Sequence, residues 1–288
     1  MSLGNLLGSR VCRLLAATAS FIAFSSGFAQ NAAQDDGGAW PWAKYGISKT
    51  DNPACIPVPR KEGWAMDQHK SIMANCKSPG LKVVFLGDSI THAFQYGSGA
   101  KVWREYCAPL GSSAYAVPAD KTENVLWRIT EGGELDGINP KVVVILIGIN
   151  NLYATPSSPE DVAMGVTAIV NCVKGKLPNA KILLLGIFPC FSVDHAGTVK
   201  ARAANGIIGK LHDGRQVFFL DIGDNFIEPD KTISKEKLKD GLHPSEIGYR
   251  IWVDAMRPYL DDLLNNDGNG EVWKSAGANG VRAELKKQ

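Results

Sequence analysis

The sequence lacks three features, and each absence excludes a class of protein. It carries 31 Lys and Arg against 29 Asp and Glu, a formal net charge of +2, without a basic run of the kind that binds nucleic acid. Beyond its N-terminus, no apolar run approaches the roughly 18 residues of a transmembrane helix, so no membrane anchor is predicted. No Cys-x-x-Cys or Cys/His group has metal-ligand spacing, so no metal site is predicted.

The N-terminus has the pattern of an export signal. Arg10 and Arg13 precede an apolar stretch over residues 14–28, and Gly27 and Ala29 are the small residues that a signal peptidase reads. We expect residues 1–29 to be a signal peptide that is cleaved after Ala29. The mature protein is then secreted or periplasmic, and soluble.

Six cysteines are present, of which Cys12 leaves with the signal peptide. An oxidising compartment favours disulfides, and an odd number of remaining cysteines leaves at least one thiol free. Cys55 and Cys76 are the favoured pair, because both precede the predicted core in a segment poor in regular structure.

Composition divides the mature chain into three parts. Residues 30–59 are rich in Gly, Pro, Asn and Asp and are predicted to form an irregular leader. Residues 60–264 form the main domain, and residues 265–288 are a polar, flexible tail. The sequence NNDGNG at 265–270 has some likeness to a calcium loop, but Ala276 occupies the position of the closing Glu, so a turn-rich linker is the favoured interpretation.

Short apolar runs alternate with helical patterns through the main domain. Continuous apolar runs that end at turn residues are typical of strands buried on both faces of a parallel sheet. The predicted strands are 82–86, 142–147, 182–185 and 217–220, with 113–117 as a weaker fifth. The predicted helices include 162–177, which follows a Ser-Pro-Glu start, together with 201–211 and 247–264. This alternation predicts a three-layer α/β domain with right-handed crossovers.

Polar residues follow the strands where a parallel sheet places its functional site, at the carboxyl ends. Ser89 follows the first strand and Asn150 follows the third, while Asp240 and His243 lie beyond the last. A serine needs a base to activate it and a third group to orient that base. The three-residue spacing lets Asp240 bind one nitrogen of His243 and leaves the other for Ser89. Asn150 can donate to a developing oxyanion.

Each of these motifs also has a purely structural interpretation. A Gly-Asp-Ser tripeptide after a strand is often only a turn, and His243 before a proline can serve as a helix cap. Asp221 ends a strand and is an alternative carboxylate. His92 and His195 are candidates for substrate contact. The joint occurrence of Ser89, Asn150 and the Asp/His pair in this order favours the catalytic interpretation.

These residues resemble the SGNH, or GDSL-type, hydrolase superfamily. Ser89 matches its first block, Asn150 its third, and Asp240 and His243 its last. The stretches 103–105, 124–128 and 148–151 look especially like the catalytic subunits of intracellular platelet-activating-factor acetylhydrolase and their secreted bacterial relatives. The resemblance covers roughly residues 57–264. It implies a flavodoxin-like fold with a five-stranded parallel sheet, a Ser–His–Asp triad, no cofactor and a preference for a short acyl group.

The second block departs from the family. Members usually have a glycine there whose backbone N–H is an oxyanion donor, but this chain has Ala119, after Pro118 and before Asp120. Alanine tolerates positive φ less well than glycine, and Pro118 restricts the turn further. The resemblance assigns the oxyanion hole to Ser89, Ala119 and Asn150, and the departure puts the placement of the Ala119 donor in question.

Three functions compete. The favoured one is a secreted esterase that releases acetyl or another short acyl group from a small ester or an acylated carbohydrate. The second is a lipid-directed esterase or lysophospholipase that uses the same triad. The third is a binding module that lost activity through its altered second block. The intact Ser89, Asn150, Asp240 and His243 favour an enzyme.

Overall fold

The computed structural model describes residues 40–285. The predicted signal peptide lies outside the described residues, as do residues 30–39 of the predicted leader and the last three residues of the chain. No helix within the described range is long and apolar enough to cross a membrane.

A parallel sheet forms the centre of the described chain. Its strands lie in the spatial order β2-β1-β3-β4-β5-β6, and every neighbouring pair is parallel. They are β1 (Val83–Gly87), β2 (Ser112–Ala116), β3 (Val142–Leu146), β4 (Lys181–Leu185), β5 (Val217–Asp221) and β6 (Val281–Arg282). All residues of β1, β3 and β5 are buried, as expected for strands covered on both faces. The predicted α/β architecture is confirmed, and the five predicted strands match β1 to β5 to within a residue.

Two groups of helices accompany the sheet. The helices of the described chain are α1 (Gly63–Asn75), α2 (Ser89–Tyr96), α3 (Ala100–Val102), α4 (Thr122–Ile129), α5 (Ile149–Ala154), α6 (Pro159–Lys176), α7 (Ala196–Ile208) and α8 (Glu246–Asn265). Helix α6 contacts both α4 and α7, and helix α3 contacts both α2 and α8. A π-helical turn follows α3, and short 3-10 segments occur between the other elements.

Local sequence explains where the predicted helices begin. Ser158 caps α6 by accepting a hydrogen bond from the Asp161 N–H, with Pro159 in the first turn. Helix α7 begins five residues earlier than the predicted 201, because the ring of His195 accepts a hydrogen bond from the Gly197 N–H and caps the first turn. A histidine cap is rarer than a Ser or Asp cap, which is why the pattern did not indicate it.

The expectation of five strands was wrong, because the segment beyond α8 supplies a sixth. Val281 and Arg282 pair with the open edge of β5, and the indole of Trp273 packs on Phe218 at a centroid distance of 4.8 Å. A strand of two residues is held by backbone hydrogen bonds. It is too short to show the alternation of apolar and polar side chains by which a strand is recognised in a sequence. The segment expected to be a polar flexible tail therefore completes the sheet. The predicted linker at 265–270 is tied to α8, since Asp262 accepts hydrogen bonds from Asn266 and from the Gly270 N–H.

The predicted Cys55–Cys76 disulfide was also wrong. All five cysteines of the described chain are buried free thiols. Cys55 ends a 3-10 helix that packs on α6, whereas Cys76 follows α1, and its carbonyl accepts a hydrogen bond from the Tyr115 hydroxyl. Helix α1, which the sequence pattern did not indicate, separates the two cysteines and leads them to different neighbours.

Aromatic packing joins the two helices that begin beside the sheet edge. The rings of Phe94 on α2 and Tyr249 on α8 stack with centroids 4.8 Å apart. The Tyr249 hydroxyl donates to the Ile90 carbonyl over 2.7 Å. Because Ile90 lies one residue after Ser89, this contact holds the start of α2 against the helix that follows His243.

Candidate active site

Ser89 occupies a tight turn between β1 and α2. It is the first residue of α2, so its backbone N–H has no acceptor within the helix. Asp88 caps the helix, and its Oδ1 accepts a hydrogen bond from the Ile90 N–H over 2.9 Å. A Cβ on Gly87 would lie 2.2 Å from Thr91 Oγ1 and 2.6 Å from the Leu146 carbonyl oxygen, so only glycine allows the turn to pack here. The turn presents the Ser89 hydroxyl at the carboxyl edge of the sheet.

A chain of hydrogen bonds connects Ser89, His243 and Asp240. Ser89 Oγ lies 2.9 Å from His243 Nε2, and His243 Nδ1 lies 2.7 Å from Asp240 Oδ2. The other carboxylate oxygen, Oδ1, accepts from the backbone N–H groups of Leu242 and His243 at 3.0 and 2.7 Å. Carboxylate, imidazole and hydroxyl are thus in the order that general-base activation of a serine requires.

The Asp240 carboxylate, whose side chain is 51% exposed, is ionised over a wide pH range. Partial desolvation raises the pKa of Asp240, but hydrogen bonds from the His243 backbone, the His243 ring and the Leu242 N–H outweigh it and lower the pKa to about 2. A fixed negative charge beside Nδ1 stabilises the imidazolium that forms when Nε2 takes a proton.

Neighbouring loops hold the Asp240–His243 turn. The Gly241 carbonyl accepts a hydrogen bond from the Phe191 N–H, and the Pro244 carbonyl accepts one from the Ser98 hydroxyl over 2.8 Å. Gly241 has φ of 83°, and a Cβ there would lie 2.9 Å from the Phe191 ring. Glycine is required at this position both by the backbone conformation and by the close approach of Phe191.

Asn150 lies at the start of α5, and 5% of it is exposed. Its Nδ2 is 2.8 Å from the Asp120 carbonyl oxygen and 3.3 Å from Asp88 Oδ2. These two acceptors orient the amide with its nitrogen towards the loops that carry Ser89 and Ala119. The longer contact, to Asp88, is the weaker of the two.

Asp88 beside Asn150 is a buried carboxyl group, 1% exposed. Burial raises its pKa to about 7, with a further contribution from Asp120, although the hydrogen bond from the Ile90 N–H opposes the rise. The group next to the serine is therefore partly protonated near neutral pH.

Ala119 lies in the tight turn that follows β2. Its φ is 62°, and it lines a cleft of about 620 Å³ together with Asn150. No protein group in residues 40–285 accepts a hydrogen bond from the Ala119 N–H, so the donor is available to a ligand.

The structure brings the five predicted site residues to one edge of the sheet. Ser89, Asp240 and His243 are joined directly, while Asn150 contacts the residues adjacent to Ser89 and to Ala119. The alternative carboxylate is elsewhere: Asp221 contacts Asn205, Arg282 and the Gly223 N–H.

His92 and His195, the two candidates for substrate contact, have contacts within the protein. The His92 ring packs against Tyr96 at a centroid distance of 5.2 Å, and burial lowers the pKa of His92. His195 caps α7 and lies 4.7 Å from the Phe191 ring, which is 41% exposed and also contacts Tyr153.

Arg128 is a buried arginine whose place in the site the sequence analysis missed. Its guanidinium donates to the carbonyls of Gly87 and Tyr115 at 3.1 and 3.2 Å and to Asp120 at 2.8 Å, and it pairs with Glu134. It therefore joins the ends of β1 and β2, from which the Ser89 and Ala119 turns depart. The available signal was its position on the buried face of α4, three residues after Val125.

Comparison with known proteins identifies relatives of this chain. A model of the GDSL-like Lipase/Acylhydrolase family matches residues 85–251. Platelet-activating factor acetylhydrolase IB subunit alpha1 of Bos taurus is 34% identical over 226 residues, which cover 77% of this chain and 94% of that protein. Subunit alpha2 of Rattus norvegicus is 34% identical over 219 residues, which cover 74% and 92%.

Solved structures share the fold. A GDSL-like lipase from Bacteroides thetaiotaomicron superposes with a TM-score of 0.55 at 17% identity and covers 67% of this chain and 97% of its own. A member of the lipolytic G-D-S-L family from Veillonella parvula has a TM-score of 0.51 at 16% identity, with 62% and 98% covered.

Proposed function

The chain belongs to the GDSL-like lipase/acylhydrolase family and is a carboxylic ester hydrolase, and from that premise we propose that Ser89, His243 and Asp240 are its catalytic triad. The observation that supports this assignment is the unbroken chain of hydrogen bonds of 2.9 and 2.7 Å at the carboxyl edge of the sheet.

The reaction proceeds in two half-reactions. Ser89 Oγ attacks the ester carbonyl carbon while His243 Nε2 takes the hydroxyl proton, and a tetrahedral oxyanion forms. His243 then gives that proton to the departing alcohol, and an acyl-serine remains. A water molecule, deprotonated by the same nitrogen, attacks the acyl-serine and releases the acid, and the proton returns to Ser89.

We assign the oxyanion hole to the N–H groups of Ser89 and Ala119 and to Asn150 Nδ2. The Ser89 and Ala119 donors are free of protein acceptors in the described chain, and the oxyanion replaces Asp88 as the second partner of Asn150. Donors that are already in place stabilise the transition state without reorganisation.

Asn150→Ala tests this assignment. We expect kcat to fall about a hundredfold to a thousandfold with little change in KM, because an oxyanion donor acts mainly in the transition state. Steady-state hydrolysis of p-nitrophenyl acetate measures both constants.

The adjacent Asn151 provides a matched control. It is also buried, but its side chain accepts from the Thr122 N–H and donates to Glu123. Asn151→Ala should lower the free energy of unfolding by about 1 to 3 kcal/mol and leave kcat of the folded enzyme nearly unchanged. Equal losses of kcat in both variants would show that Asn150 acts only through folding.

The substrate we propose is a short-chain ester, with acetyl as the acyl group and a small alcohol or carbohydrate as the remainder. The name acetylhydrolase of the mammalian relatives supports the acetyl group. The cleft beside Ala119 and Asn150 has room for a non-reacting part of the substrate, and its lining combines Tyr153 and prolines with charged residues of both signs. We also propose that the enzyme is exported, in keeping with the N-terminal pattern.

A lipid-directed esterase is the second candidate, because the names of the same relatives also fit it. A series of p-nitrophenyl esters from acetate to palmitate, with Ser89→Ala as the blank, separates the two. We expect kcat/KM to be highest for acetate or butyrate. A maximum at octanoate or longer would overturn the short-chain proposal in favour of the lipid-directed one. Acetate release from an acetylated oligosaccharide, compared with an acetylated lipid, then identifies the alcohol.

A further inference from the structure

The turn that carries Ala119 has a conformation that alanine disfavours. The Asp120 N–H donates to the Val117 carbonyl over 3.2 Å, Pro118 restricts φ to about −65°, and Ala119 has φ of 62°. This combination is a type II turn, whose third position normally belongs to glycine. Something outside the turn must therefore favour this conformation over a type I turn, in which alanine has negative φ.

The peptide between Pro118 and Ala119 is the part that differs between the two turn types. In a planar trans peptide, the carbonyl and the N–H point in opposite directions. Whatever fixes the Pro118 carbonyl therefore also fixes the direction of the Ala119 N–H. Rotation of this peptide to the type I arrangement would turn the N–H away from its present direction.

Arg60, the first residue of the predicted main domain, binds that carbonyl. Its Nη1 donates to the Pro118 oxygen over 3.0 Å and to Asp120 Oδ1 over 3.2 Å, so one nitrogen spans the turn. The rest of the guanidinium is held firmly, because Nε and Nη2 pair with the two oxygens of Glu62 at 3.0 Å each. The guanidinium also lies over the Trp64 ring, 5.2 Å from the ring centroid, and the side chain is only 13% exposed.

Asp120 is fixed on its other side as well. Its Oδ2 accepts from Arg128 Nε over 2.8 Å, and Arg128 is buried against the ends of β1 and β2. The turn is thus held between the buried Arg128 and Arg60, and of these two arginines Arg60 is the one that contacts the central peptide.

We propose that Arg60 is a positioning residue for the oxyanion hole. It holds the Pro118–Ala119 peptide in the type II orientation, with the Ala119 N–H directed to the oxyanion, and so offsets the strain of an alanine at this position. The inference deepens the proposed function and rests on the assignment of the Ala119 N–H as a donor. It links the segment directly before α1 to the oxyanion hole.

A double-mutant cycle between Arg60 and Ala119 tests the proposal. Arg60→Ala should lower kcat for p-nitrophenyl acetate by roughly tenfold or more and change KM less than about threefold, because a donor of the oxyanion hole becomes misplaced. Ala119→Gly provides the second background of the cycle, because glycine keeps the backbone N–H donor. Glycine adopts positive φ freely, so Arg60→Ala combined with Ala119→Gly should recover kcat to within about threefold of Ala119→Gly.

Arg257→Ala is the matched control. Arg257 also pairs with a carboxylate, Asp261, and lies over an aromatic ring, that of Tyr106, but it is on the outer surface of α8. It should leave kcat unchanged. Where Arg60→Ala folds poorly, Arg60→Lys takes its place. Lysine keeps one donor nitrogen, so kcat of this variant should lie between those of the wild type and of Arg60→Ala.

Thermal unfolding provides a readout that does not need substrate. Arg60→Ala should lower the unfolding temperature more in the Ala119→Gly background than in the wild type. In the wild type the freed turn relaxes to type I and releases the strain of Ala119, which compensates part of the lost contact, whereas glycine has no such strain to release. Additive shifts in unfolding temperature would contradict the coupling.

Two kinetic outcomes would overturn this inference but leave the proposed function intact. One is an Arg60→Ala variant with unchanged kcat, and the other is a double variant that stays as slow as Arg60→Ala. The second result would mean that Arg60 contacts substrate in the cleft that it lines. A wild type whose esterase activity does not require Ser89 would instead overturn the proposed function, and the catalytic role of Arg60 with it.

Discussion

Ser89→Ala is expected to remove esterase activity, with a loss of at least about 10⁴-fold in kcat. The variant retains the fold, because the Ser89 side chain is bonded only to His243 and the cap of α2 belongs to Asp88. The loss follows from the chemistry, since no other hydroxyl is within reach of His243 Nε2 among the described residues. Hydrolysis of p-nitrophenyl acetate, corrected for spontaneous hydrolysis, measures it.

Ser112→Ala is the control for this experiment. The Ser112 hydroxyl is shielded from solvent and has no hydrogen-bond partner within residues 40–285, so its removal should leave both kcat and stability nearly unchanged. A fluorophosphonate probe adds a direct assignment, because the mass of the adduct should appear on the peptide that contains Ser89. An adduct on another residue, or residual turnover within a hundredfold of the wild type, would refute Ser89 as the nucleophile.

Asp240→Asn is expected to lower kcat by about 10³-fold to 10⁴-fold through the tautomer of His243. The backbone N–H groups of Leu242 and His243 require an acceptor at Oδ1, so the introduced amide places its oxygen there and its nitrogen towards His243 Nδ1. Nδ1 must then accept, and the ring proton moves to Nε2. A protonated Nε2 cannot take the proton of Ser89. The measurement is kcat/KM between pH 6 and pH 9.

Asp221→Asn is the matched control, because Asp221 was the other carboxylate that the sequence offered. Its contacts are Asn205, Arg282 and the Gly223 N–H, away from the Asp240–His243 turn. We expect its kcat to stay within a few-fold of the wild type. A larger loss in Asp221→Asn than in Asp240→Asn would reverse the assignment of the third triad member.

The turn at Ala119 has the backbone conformation that the sequence analysis expected alanine to tolerate poorly. Ala119 has φ of 62°, in the left-handed region that glycine adopts without strain and alanine does not. The turn keeps its shape because Arg60 and Arg128 hold Asp120, and Arg60 holds the Pro118 carbonyl. The neighbourhood of the turn, rather than its own sequence, therefore explains how this conformation persists.

Much of the fold and the candidate site was accessible from the sequence. Buried parallel strands are continuous apolar runs, and the chemistry of a parallel sheet gathers at the strand ends, so the runs before Ser89 and Asn150 were readable as strands with functional ends. The capping pattern at Ser158 likewise marked the start of α6, because this signal lies within a few neighbouring residues.

The features that only the tertiary structure decided are those that depend on partners distant in sequence. Strand β6 consists of backbone pairing with β5, which leaves no side-chain pattern in Val281 and Arg282. Cys55 and Cys76 are close in sequence, but the intervening α1 leads them to different neighbours. Arg60 is positioned by its hydrogen bond to the Pro118 carbonyl, 58 residues later in the chain. The sequence by itself determined which groups stand at the sheet edge, because local patterns set the strands. The tertiary structure decided how those groups are aimed, because orientation depends on long-range hydrogen bonds.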